Sequence, residues 1–205
     1  IDSNSLSSGI DTRGAGIYIG NDCKATLSGG TISNNHASSG GGVYAIGDLT
    51  IDGATIKDNT YDGVYVNQTT VVMTDGSLDG NAVRLYGGMF SITGGDVTGI
   101  PNAVQIANQV WGGTFQIGGS AKFDSESTVS IYVCIVKGDT DIMSNHAVTI
   151  RPSSYTEGTQ VASGSPAALL GLNHSKIDVV PYEGERWIVD EDGRLVNTHE
   201  AASVS

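Results

Sequence analysis

Two cysteines in 205 residues are too few for a disulfide-stapled scaffold. Aromatic residues make up 6% of the chain, which suits a narrow core of small residues. Positive charge is scarce: ten Lys and Arg stand against 22 Asp and Glu, a formal net charge of −12. Nucleic acids and anionic membrane surfaces both require clustered cations, so neither is expected as a partner. No apolar run approaches the roughly 20 residues that cross a bilayer, so no membrane insertion of this segment is expected. The chain opens at Ile1 with neither an initiator Met nor a signal-peptide pattern, as expected of a mature product or an excised fragment.

Glycine, in contrast, is plentiful at 29 residues, and the chain repeats itself. Five stretches align: Ala25–Ile32, Leu49–Ile56, Val71–Leu78, Phe90–Val97 and Phe115–Ala121. Each alternates apolar and polar residues, turns a corner of small residues and resumes. The corners at Gly30, Ala54, Gly76, Gly95 and Gly119 lie 24, 22, 19 and 24 residues apart. A period near 22 residues is the mark of a stacked array. A second strand signal precedes each stretch, at Ile17–Ile19, Val43–Ala45, Val64–Val66, Val83–Leu85 and Val104–Ile106, with a sixth at Val129–Ile131. Alternation of two puts the first and last residue of each on one face.

Three short strands in about 22 residues leave no room for a crossover helix. The expected fold is therefore all-β: a right-handed parallel β-helix of about six three-strand coils, each strand pairing with its equivalent in the next coil. A leucine-rich repeat lacks its L-x-x-L-x-L frame here, and a β-sandwich, the main rival, would not repeat one sequence at one spacing. A single coil buries about six apolar side chains at roughly 1.5–3 kcal/mol each, too little to order its backbone alone at about 1–2 kcal/mol per residue. Stability must come from neighbours. Asn35, Asn59 and Asn81 recur at one corner and predict an asparagine ladder, which should shift or end at Ile100, with Asn102 two residues on. Cys23 and Cys134 fall about five coils, roughly 24 Å, apart, beyond the roughly 7 Å a disulfide spans. Two unpaired thiols are expected.

The rhythm fades after about Asp139. Residues 1–138 are read as β-helix repeats, 139–198 as a C-terminal mixed β cap or appendage, and 199–205 as a tail or linker. Within the cap, Asp192-Gly193 signals a hairpin and Ser165–Leu172 a short helical turn. A cap is physically required, because the last coil exposes apolar side chains and unpaired strand groups.

The segments Gly40-Gly41-Gly42-Val43-Tyr44, Gly29-Gly30-Thr31-Ile32-Ser33-Asn34-Asn35, Pro152–Val161 and Trp187–Val196 resemble the repeat regions of large bacterial surface proteins of the adhesin-like type. That resemblance implies a right-handed parallel β-helix on an exported protein, extracellular or at the cell surface, and brings no catalytic residues with it.

Candidate sites follow from the columns. Tyr18, Tyr44 and Tyr65, followed by Arg84, Gln105 and Ser130, line the outward face of the first strand. Three tyrosines on successive coils suit either a strip that stacks on sugar rings or a ladder that reinforces the sheet. Tyr18, Tyr44, Tyr65 and Arg84 are the candidate ligand-binding residues. Asp52 and Asp75, on adjacent coils but offset by one position, are the weak catalytic candidates, since glycan cleavage needs two carboxylates about 5–9.5 Å apart. Lys57 and Asp79 are expected to form a surface ion pair. The histidines show no ligand spacing, and no calcium-binding loop is present, so no metal or cofactor is expected. The weight falls on a non-catalytic stalk or adhesin-like binding surface, with an extracellular glycan or a host or cell-surface protein as partner. The alternative is a polysaccharide lyase or glycoside hydrolase on the same scaffold.

Overall fold

The computed structural model describes residues 1–6, 12–100, 103–106, 113–124, 126–131, 134–137, 148–152, 154–165 and 168–198. Asn102, the side chain of Cys134, the start of the expected cap at 139–147 and the expected tail 199–205 lie outside them.

The Val-x-Val stretches form one parallel sheet of eight strands: Ile17–Ile19, Val43–Ala45, Val64–Asn67, Val83–Tyr86, Val104–Ile106, Thr128–Ile131, Val148–Pro152 and Ile177–Val179. Like residues lie above like residues. Ile17 pairs with Val43, Val43 with Val64, Val64 with Val83, Val83 with Val104, Val104 with Val129 and Val129 with Ile150. β-Branched residues suit this column because their stiff side chains pack well against copies of themselves on a pleated surface. From Val43 to Ile150 the column is wholly buried.

The second and third strands of each coil form a ten-stranded sheet. In two coils they fuse into one ten-residue strand, Asp48–Lys57 and Thr70–Asp79, where the periodicity predicts two strands and a corner. The corner survives as an irregularity, with register shifts on either side of Asp52. Gly53 and Gly76 sit there at φ +104 and +107, a region that residues with a Cβ avoid. Glycine also governs the approach to the first strand: a Cβ on Gly42 would collide with the carbonyl oxygen of Gly63 in the coil above. The interior is filled by Leu49, Ile51, Ile56, Met73, Leu78, Phe90, Ile92, Phe115 and Ile117, each at most 1% exposed.

The asparagine ladder is present and one rung longer than expected. Asn35 N–H donates to Asn59 Oδ1 (3.0 Å), Asn59 N–H donates to Asn81 Oδ1 (2.7 Å), and Asn4 N–H donates to Asn35 Oδ1 (3.0 Å). It stops where Ile100 fills the position, and Ser127 Oγ and Asp124 take over the backbone donors. Ile100 N–H donates to Ser127 Oγ at 3.2 Å, Gly99 N–H to Asp124 Oδ2 at 2.7 Å and Ser127 N–H to Asp124 Oδ1 at 2.8 Å. Partial burial alone would raise the Asp124 pKa, but these hydrogen bonds outweigh it and hold the carboxyl below its ordinary value. A carboxylate with a lowered folded pKa contributes stability above its unfolded pKa and loses it as pH falls through the folded value. Acidification through about pH 4 to 2 should therefore weaken the wild type more steeply than Asp124→Asn, in denaturant unfolding at matched ionic strength. Identical acid slopes would remove Asp124 from this role.

Stacking carries on past residue 138. Thr128–Ile131 pairs with Val148–Pro152, and Cys134–Lys137 with Ala162–Ser165, all parallel. The rhythm fades because the connections lengthen while the strands still stack. A short helix, Ala168–Asn173, and a 3-10 turn, His174–Lys176, follow near the expected place. Trp187–Val189 and Leu195–Asn197 then form the only antiparallel strand pair among the described residues, so the C-terminal part is a mixed β cap. Its hairpin turns through Asp190 to Gly193, as the Asp-Gly signal predicts: Gly193 N–H donates to the Asp190 carbonyl at 2.9 Å and Arg194 N–H to Asp190 Oδ1 at 2.8 Å.

Candidate functional site

Tyr18, Tyr44 and Tyr65 are register partners on three successive coils. Their rings stack on one another at centroid separations of 5.5 and 5.0 Å, with interplanar angles of 3° and 7°. Tyr86 adds a fourth ring at 6.4 Å and 24°. It stands two residues after Arg84, so the alternation that points Arg84 outward points Tyr86 outward too.

Rings stacked this way cover one another's faces and leave their edges outward. Tyr44 is 3% exposed, with Arg13 5.4 Å from its ring centroid and its hydroxyl accepting from Asn67 Nδ2 at 3.0 Å. Tyr18, at 51%, keeps substantial exposure. Burial pushes the Tyr65 phenol up, and Tyr44 and Asp62 beside it add to the shift. The column thus has the geometry of a reinforcing ladder, with its most exposed ring at its N-terminal end.

Arg84 follows in the same column, but its guanidinium turns to Asp62. Nε donates to Oδ1 at 2.6 Å, and the Asp62 side chain is 2% exposed against 35% for Arg84. Asp62 is not among the candidates named from the sequence; the signal that identifies the pair is its spacing of 22 residues, one period. Gly40 N–H donates to the other carboxylate oxygen at 3.3 Å.

Asp52 and Asp75, offset by one position in the aligned repeats, are register partners because the corner irregularity absorbs the offset. Both are exposed. Thr74 Oγ1 donates to Asp52 Oδ1 at 2.9 Å, and Asp75 Oδ1 accepts from Gly76 N–H at 2.8 Å. The ion pairs among the described residues are Lys24–Asp48 (3.0 Å), Arg84–Asp62 and Lys122–Asp96 (4.0 Å); Lys57 and Asp79 are register partners without one. Lys24 beside Asp48 holds that carboxyl below its ordinary value. Cys23 is free and exposed. Among the described residues no group of three His, Cys, Asp or Glu side chains could hold a metal ion, and no helix is long and apolar enough to cross a membrane.

The surface is indented elsewhere. A groove of about 620 Å³ runs beside the C-terminal hairpin between His174 and Val189. One of about 500 Å³ lies at Arg151, Tyr155 and Tyr182, and one of about 360 Å³ at Cys23, Lys24 and Asp48. None of the three is lined by Asp52, Asp75 or the tyrosine column. The repeat pattern does not mark Tyr155 or Tyr182, since both fall where the period has lengthened.

Comparison with curated proteins and with solved structures returns no match. A family model described as a right handed beta helix region matches residues 1–124, more than half of the chain. The strands of the matched residues stack in parallel, coil upon coil, around the Val-x-Val column, and the chain belongs to the right-handed β-helix family.

Proposed function

We propose that this rigid repeat scaffold is a non-catalytic segment of an exported bacterial surface protein. It stands outside the cell or at its surface, as a stalk or adhesin-like surface that contacts an extracellular glycan or a host or cell-surface protein. The observation that carries this reading is the continuous register of the first sheet, eight strands deep without an antiparallel interruption. Eight strands at about 4.8 Å span roughly 34 Å between the first and last. The aliphatic column braces the coils as far as Ile150, and the Asn and Tyr ladders reinforce those up to Asn81 and Tyr86, so the rod has little freedom to bend.

The carbohydrate-active alternative would place two carboxylates in a water-excluding cleft with shifted protonation. Asp52 and Asp75 are instead exposed, and they lie outside the grooves described above. A glycan array and a polysaccharide-depolymerisation screen, run on the same preparation, test the two readings. Binding without product release is expected. Turnover that disappears in Asp52→Asn or Asp75→Asn would replace the scaffold reading with the enzymatic one.

A further inference from the structure

Beyond residue 150 the chain gathers an aromatic cluster that the coils do not require. Tyr155 and Tyr182 stack with centroids 4.6 Å apart and planes at 12°. Tyr155 is fixed from two sides: its hydroxyl donates to the Val180 carbonyl at 2.8 Å, and its ring meets buried Trp187 edge-on at 5.8 Å. Tyr182 is presented rather than buried. One face lies on Tyr155, yet the residue remains 47% exposed, which leaves its other face open.

The turn that carries Tyr182 is unusual. Tyr182 and Glu185 exchange both backbone hydrogen bonds, at 3.2 and 2.9 Å, around Glu183 and Gly184 at φ 52 and 81. Two left-handed residues in a two-residue loop make a type I′ turn, in which Asn-Gly is the relaxed choice. Glutamate in the first position is strained. Its carboxylate, beside the Tyr182 hydroxyl, pushes that phenol up. The strain thus falls on the residue next to an open aromatic face.

Arg151 and Ser154 complete the surroundings, lining the 500 Å³ groove with Tyr155 and Tyr182. Arg151 is exposed and, among the described residues, makes no ion pair. A pyranose ring offers a face of partly positive C–H groups, which suits the negative face of an aromatic ring. Its hydroxyls both donate and accept, matching a carboxylate and a guanidinium at one site. A polyuronate would meet Glu183 and the net charge of −12.

We infer that Tyr182, backed by Tyr155 and flanked by Arg151 and Glu183, forms a subsite for a neutral pyranose unit of a glycan. The class of partner rests on the adhesin-like reading above; the location is separate from the tyrosine column. Saturation-transfer NMR and calorimetry with neutral hexose tetrasaccharides, and with a polyuronate tetramer, test it on the full chain. Binding of at least one neutral tetrasaccharide is expected, weakened about tenfold or more in Tyr182→Ala and several-fold in Arg151→Ala, and kept in Tyr182→Phe. Thermal melting should be unchanged in all three, since these side chains stand on the surface. Absence of binding, preference for the polyuronate, or binding unmoved by Tyr182→Ala would overturn the subsite. Loss in Tyr18→Ala with retention in Tyr182→Ala would overturn it while leaving the adhesin-like role intact. Release of reducing ends would count against the non-catalytic reading separately, with the Tyr182→Ala affinity still deciding the subsite.

Discussion

Replacing Asn59 by leucine should lower the unfolding free energy by about 3–5 kcal/mol, a large share of what a domain of this size possesses. Leucine keeps the number of side-chain heavy atoms and is the bulkier of the two, so no cavity is left and the loss comes chiefly from hydrogen bonds. Asn59 Nδ2 donates to the carbonyls of Ile32 (3.0 Å) and Lys57 (2.9 Å) and to Asn81 Oδ1 (3.0 Å). Its Oδ1 accepts from both Asn35 N–H and Asn35 Nδ2. Asn35 is wholly buried and Asn59 is 6% exposed, so the groups orphaned by leucine cannot turn to bulk water. Each buried orphan costs about 1–3 kcal/mol, and neighbouring coils share the damage because the ladder is continuous.

Asn4 provides the internal control. It is exposed and makes its two bonds to Asn35 from the end of the ladder. Asn4→Leu should therefore cost no more than about 1 kcal/mol. Urea unfolding of both variants, with the m-value checked for loss of two-state behaviour, reads the difference. Equal costs at Asn4 and Asn59 would mean that the rungs are decoration and that burial alone holds the coils.

How far the sequence discloses this molecule depends on whether spacing survives. The Val-x-Val column was legible because its residues recur at one position of each unit and alternate in burial, so stacking had only one register to adopt. Asn35, Asn59 and Asn81 could be aligned for the same reason. Asn4 could not: it lies 31 residues before Asn35, so the extra residues between them hide the rung. The aligned repeats leave Asp52 and Asp75 one position apart, because an irregularity in one strand shifts register without leaving a mark in the alternation. The tyrosine column was visible as a column, but whether its rings lie flat or stack edge-outward depends on side-chain torsions that periodicity does not encode. Tyr155 and Tyr182 were invisible for a different reason. They meet through a loop contact 27 residues apart, outside any period.

Arg84→Met should destabilise the chain by about 3 kcal/mol, and the cause would lie in Asp62 rather than in Arg84. The guanidinium is 35% exposed and could lose its partner to solvent with little consequence. The carboxylate could not. Its side chain is 2% exposed, and without Arg84 its oxygens keep only the 3.3 Å bond from Gly40 N–H among those described. Breaking one side of a buried pair leaves an uncompensated charge, typically at a cost of about 3–5 kcal/mol; the partial exposure of Arg84 sets the lower end. Methionine keeps most of the aliphatic stem that packs in the column beside Tyr65, so lost packing contributes little. The double variant Asp62→Asn/Arg84→Met removes both charges and keeps a polar group for Gly40, and it should recover at least about 1.5 kcal/mol relative to Arg84→Met alone. A cycle of the two single variants and the double, measured by denaturant unfolding, isolates the coupling. If the double variant is no more stable than Arg84→Met, then the buried carboxylate does not depend on its partner, and Arg84 becomes free to serve as the ligand-binding residue that its place in the tyrosine column suggests.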